Sequence, residues 1–159
     1  MFDIYQIDAF TNTIFGGNPA CVVPLNSWLP DETLLKITQE NAVAETAFFV
    51  PKGKKFHLRW FTPEIEMDLC GHATLATAHC LKTILNHPSN NIIFETASGD
   101  LTVGVEGHFY FLDFPSRMPV PAQLPKLIEK SLNIAPKEVY KSRDYVLVYD
   151  TEQDIKNIK

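Results

Sequence analysis

Asp68-Leu69-Cys70-Gly71-His72-Ala73-Thr74-Leu75-Ala76-Thr77-Ala78-His79-Cys80-Leu81-Lys82-Thr83-Ile84-Leu85-Asn86-His87 reads as the start and body of one buried helix. Ala73, Leu75, Ala76, Ala78, Cys80, Leu81, Ile84 and Leu85 point all round a 3.6-residue period, and only Lys82 is charged between Gly71 and Asn86. A helix with no solvent face needs protein on every side. Small residues in its first two turns let strands come close, and Asp68 or Cys70 stands where an N-cap belongs. Gly71 and His72 then open the helix, where free N–H groups and the positive dipole end make a place for an anion.

Around this stretch lie 159 residues, 45% of them hydrophobic, enough for one domain with its own core or for a domain plus part of another. A formal charge of −5 and a pI near 5.5 provide no basic stripe for phosphate backbones, and Lys52-Gly53-Lys54-Lys55 reads as a solvated turn. Nucleic acid is not an expected partner. No apolar run approaches the roughly 18 residues of a spanning helix, and Asp3 and Asp8 stand where a signal peptide would be basic. These features predict a cytoplasmic protein without membrane contact. Cys21, Cys70 and Cys80 are odd in number, far apart and without a C-x-x-C pair, so reduced thiols are expected.

In chain order, Phe2–Phe10 and Ala20–Val23 read as strands flanking the Gly16-Gly17-Asn18-Pro19 loop. Asp31 caps a predicted amphipathic helix ending near Asn41. Ala44–Val50 is a predicted strand stopped by Pro51, turned by Gly53 and paired as a hairpin with Lys55–Phe61. After the central helix, Asn91–Thr96, Leu101–Glu106 and His108–Phe114 form a predicted meander. Beyond it five prolines break up the chain, leaving a short helix around 124–132 and a strand at Tyr145–Tyr149, with no core of their own. The expected division is 1–115 as a domain and 116–159 as a linker, a helix and the first strand of a second.

Three residues carry candidate chemistry. Alternation puts Glu45 on the strand face of Ala47 and Phe49, and apolar surroundings suit a carboxyl to general acid and base work; an exposed strand position is the competing reading. His72 at a helix start faces a positive dipole end, which favours the neutral ring. Cys70, beside the same helix start, is expected to have a lowered thiol pKa and to serve as nucleophile or base. Cys80 reads as core. His72, His79, Cys80 and His87 lack H-E-x-x-H or paired-cysteine spacing, so no metal is expected, and no G-x-G-x-x-G, P-loop or G-x-S-x-G motif is present.

Ile7-Asp8-Ala9-Phe10-Thr11, Gly17-Asn18-Pro19, Ala44-Glu45-Thr46-Ala47-Phe48, Phe61-Thr62-Pro63 and Leu69-Cys70-Gly71-His72-Ala73-Thr74-Leu75-Ala76 together resemble the PhzF-like family of phenazine biosynthesis. The motifs stand in family order over residues 1 to about 115. The resemblance implies an α+β, diaminopimelate-epimerase-like half: a curved, mostly antiparallel, barrel-like sheet wrapped around a central helix. It implies Glu45 as the catalytic acid and base, and Gly71 and His72 as residues binding a small carboxylate-bearing substrate. It further implies an isomerase that shuttles a proton between carbon atoms without metal, flavin or pyridoxal phosphate. Family members are nearly twice this length, and their second half brings another central helix with an aspartate and a serine facing the first. Two alternatives stay open: an epimerase or racemase using Cys70, and a non-catalytic interaction module. An exposed half-cleft and the apolar strand 145–149 predict a homo-oligomer, a two-fold dimer.

Overall fold

The glycine-rich loop near the N-terminus is held by a steric condition. Strands Tyr5–Ala9 (β1) and Asn18–Pro24 (β2) pair antiparallel across it. At Gly17 φ is 76°, and a Cβ would lie 2.3 Å from the Ala9 carbonyl oxygen, so only glycine fits. The computed structural model describes all 159 residues, which divide into two compact units, Met1–Phe114 and Pro115–Lys159.

Helix Asp31–Asn41 (α1) starts at a Pro30 N-cap, not at the expected Asp31 cap. Asp31 instead sits in the first turn and pairs with Arg59 at 2.9 Å, which holds its carboxyl below the usual range. Arg59 also pairs with Glu66 at 2.6 Å and lies 5.1 and 5.0 Å from the Trp28 and Phe61 ring centres. The Arg59 guanidinium draws the aspartate away from capping. Leu34 and Thr38, one turn apart, are the buried face of α1.

Strand Glu45–Lys52 (β3) forms a hairpin with Lys55–Phe61 (β4) through Gly53. Pro51 does not stop β3 as expected. Past Phe49 the strand has a partner on one side only, where a missing N–H is tolerated. Alternation divides two cores: Ala47, Phe49, Phe56, Leu58 and Trp60 face the central helix, while Phe48 and Phe61 pack with Leu34.

A short strand, Glu66–Met67 (β5), pairs with β4 and leads into the central helix, Gly71–His79 (α2). Its continuation, Cys80–Ile84, is one π-helical turn marked by a Leu85 N–H to Cys80 carbonyl bond of 3.0 Å. The expected helix to Asn86 is thus two residues too long; Asn86 itself turns left-handed at φ 54°. From His72 to Leu81 only Leu75 and His79 are not buried, whereas Ile84 and Leu85 stand about 40% exposed. The buried hydroxyls of Thr74 and Thr77 donate to the Cys70 and Ala73 carbonyls at 2.6 and 2.7 Å, so burial leaves neither unsatisfied.

Asn91–Thr96 (β6), Gly99–Glu106 (β7) and Phe109–Asp113 (β8) complete the meander. The sheet order is β1-β2-β3-β4-β6-β7-β8, with β5 attached to β4. Pairing is parallel at β2/β3 and β4/β6 and antiparallel elsewhere. Curled around α2, this mixed sheet brings Ala20, Val22, Phe94, Leu101 and Val103 into one core with Ala73, Ala76 and Cys80. The α+β half-barrel expected from the sequence is the fold observed. No helix is long and apolar enough to cross a membrane.

The unit Pro115–Lys159 has a three-stranded antiparallel sheet, Val120–Pro121 (β9), Glu138–Lys141 (β10) and Tyr145–Val148 (β11), with β10 in the middle. Helices Lys126–Ser131 (α3) and Glu152–Lys156 (α4) accompany it, the latter started by a Thr151/Asp154 capping box. Sequence patterning finds α3 and β11 but misses β9, β10 and α4, which are two to five residues long. None of this unit's residues is fully buried.

Candidate active site

Glu45 is the first residue of β3 and stands beside Ala20 of β2 in the parallel pairing. It shares the helix-facing side with Ala47 and Phe49, so the alternation read from the sequence gives its direction. Its side chain is 17% exposed and that of His72 is 9% exposed. The fully exposed strand position is not what the fold produces. Cys70 is the extended N-cap of α2, and Gly71 and His72 are the helix's first two residues. The Ser98 hydroxyl donates to the Asp68 carbonyl at 2.8 Å, fastening the segment before the cap to the β6/β7 turn.

His72 lies between two groups. Its Nε2 is 3.1 Å from Glu45 Oε2, and its Nδ1 is 3.6 Å from Cys70 Sγ. The first contact is close but misaligned for a hydrogen bond, so both Glu45 Oε2 and His72 Nε2 are buried without a hydrogen-bond partner. Trp60 Nε1 is the third such atom. Buried polar atoms are nearly always satisfied, so these two orphans at a helix N-terminus stand out as groups with the capacity to bond a polar ligand.

The Cys70 thiol behaves opposite to expectation. Burial pushes it up to about 11, with the Glu45 charge adding to the rise and the Ala73 N–H opposing it. Desolvation outweighs the helix end, and the thiol keeps its proton at neutral pH. Cys80 is likewise pushed up to about 11 by burial in the core.

Gly71 shows no packing need for glycine, since a Cβ there would meet only Phe114 Cε2 at an ordinary 3.7 Å. His79 is drawn to the Tyr110 hydroxyl at 3.1 Å and His87 packs edge-on to Phe56, so neither joins His72. The atoms of Glu45, Cys70 and His72 that could ligate an ion lie within 4.8 Å of one another. Thiol and carboxylate address different ring nitrogens, an order that suits a hydrogen-bond relay better than a shared ion. A separate pocket of about 340 Å³ opens between β1 and β8 over Leu75, Ala76 and His79 and shares none of these three residues.

Residues 7–139 match the family model described as phenazine biosynthesis-like protein. The chain belongs to this family. An uncharacterized isomerase of Pseudomonas aeruginosa is 48% identical over 152 residues, covering 96% of this chain and 59% of the relative. An uncharacterized isomerase of Halalkalibacterium halodurans is 43% identical over 159 residues, covering 98% and 60%. The crystal structure of a PhzF-family phenazine biosynthesis protein from Enterococcus faecalis superposes with a TM-score of 0.90 at 40% identity, covering 99% of this chain and 61% of that one. The chain therefore spans about three fifths of the length of these relatives.

Proposed function

We propose that this chain carries one face of a PhzF-type isomerase site, in which Glu45 moves a proton between two carbon atoms of a small cyclic or amino-acid-like carboxylate. The Glu45 carboxylate removes a proton from carbon, the freed electron pair shifts along the substrate's conjugated system, and the resulting acid returns the proton to a second carbon. Nothing is gained or lost overall, so the step needs no metal or cofactor. His72 and the N–H groups at the start of α2 hold the substrate's carboxylate, and Gly71 leaves them open to close approach. The observation that carries this reading is the pair of buried, unpartnered atoms Glu45 Oε2 and His72 Nε2, 3.1 Å apart. Two relatives named as isomerases support it. The protonated Cys70 thiol favours this reading over a cysteine-dependent epimerase. We also propose self-association as a two-fold dimer, and a cytoplasmic setting in keeping with the free thiols of Cys21, Cys70 and Cys80.

The test is solvent deuterium uptake, followed by mass spectrometry, across a panel of small cyclic amino acids. Glu45→Gln keeps the shape and loses the base, so uptake should fall by about 100-fold or more while binding persists. Unchanged uptake in that variant would remove Glu45 from the mechanism.

A further inference from the structure

We infer that Cys70 is a positioning residue that holds His72, whenever its ring is neutral, in the tautomer with its proton on Nε2, making the ring a donor toward the ligand and leaving Glu45 as the acceptor. The inference rests on the reading of Glu45 and His72 as the site, and it adds a role for the residue between them in space.

The two ring nitrogens have one neighbour each. Nδ1 faces Cys70 Sγ at 3.6 Å, and Nε2 faces Glu45 Oε2 at 3.1 Å. A neutral imidazole has one donor and one acceptor nitrogen, so the two contacts must be decided together. With the proton on Nδ1, the ring would donate to sulfur, a weak acceptor, and would set the Nε2 lone pair against a carboxylate oxygen. With the proton on Nε2, the N–H faces the carboxylate and Nδ1 accepts from the thiol. Only the second arrangement makes both contacts favourable.

Cys70 is well placed for this. As N-cap it has extended backbone (φ −144°, ψ 109°), and its carbonyl receives the Thr74 hydroxyl at 2.6 Å and the Thr74 N–H at 3.2 Å. Its sulfur makes no well-aligned capping bond and only feels the nearby Ala73 N–H, so its S–H proton is left for the ring two residues on. Burial keeps that thiol protonated and therefore a donor. The Nε2–H is not spent on a well-aligned bond to Glu45, so a ligand oxygen can receive it. Without Cys70 only the Glu45 carboxylate would favour the proton on Nε2, so the Nδ1 tautomer would gain population and present a lone pair where the substrate needs a donor.

Long-range ¹H–¹⁵N correlation of the imidazole in the ¹⁵N-labelled chain tests this at about pH 8, above the ordinary histidine range. His72 signals are assigned by their absence in His72→Gln. The expected wild-type pattern is a protonated Nε2 and a bare Nδ1. Cys70→Ser, which still offers an O–H donor, should retain it, and Cys70→Ala should show a mixture of the two tautomers. A wild-type ring protonated on Nδ1, or a Cys70→Ala pattern identical to wild type, overturns the inference. Should Cys70→Ala not fold, Cys70→Val, close to cysteine in volume and without a donor, is read in its place, and a pattern identical to wild type there overturns the inference as well. The readout needs no turnover, so it can fail while the isomerase reading stands, and the reverse.

Discussion

Ala20 and Glu45 stand side by side in the parallel pairing of β2 with β3, and that register decides which face Glu45 takes. A slip of one residue would turn Glu45 to the side where Phe48 packs with Leu34 of α1, away from His72. The 3.1 Å approach of Glu45 to His72 therefore depends on the pairing of two strands that are not joined by a hairpin.

His72→Ala should weaken substrate binding more than it slows proton transfer. Losing a hydrogen bond to a charged group costs about 1.5–3 kcal/mol, so KM should rise roughly ten- to hundredfold. Steady-state kinetics separate the two effects, and a loss confined to kcat would contradict a binding role.

Alkylation of Cys70 should be slow at neutral pH. A thiol pushed up to about 11 has roughly 300-fold less thiolate than an ordinary cysteine, and its reaction rate should keep rising about tenfold per pH unit until that value is reached. Peptide mass spectrometry after timed quenching follows the site directly. Rapid modification near pH 7, ahead of an exposed model thiol, would restore Cys70 as a candidate base.

Gly17→Ala should destabilise the unit Met1–Phe114 by about 1–3 kcal/mol, because a Cβ would collide with the Ala9 carbonyl in a left-handed backbone. Gly53→Ala has φ 62° but nothing within 4 Å, so only the conformational cost of about 1 kcal/mol applies. Urea denaturation of both variants measures the difference, and equal losses would remove the steric contribution.

Sedimentation should reveal a dimer at micromolar concentration. Met118, Val120, Leu127 and Val146 are exposed in a unit without fully buried residues, and β11 is an edge strand with β10 on one side only. A monomer that persists across this concentration range would contradict the proposal.

What the sequence by itself determined is what short-range patterns encode. The near-absence of charge from Gly71 to Asn86 foretells a helix surrounded by sheet, and alternation along Ala44–Val50 foretells the face of Glu45. Both hold because side-chain direction follows locally from backbone geometry. Only the tertiary structure decided that Glu45, at the start of β3, meets His72, which follows 27 residues later, because parallel pairings at β2/β3 and β4/β6 leave no local trace in the chain. It also reversed the expected state of Cys70: the helix start is visible in sequence, but the burial that outweighs it is a property of the packed core. Asp31 was likewise taken from its cap by Arg59, whose position beside α1 exists only once β4 is in the sheet.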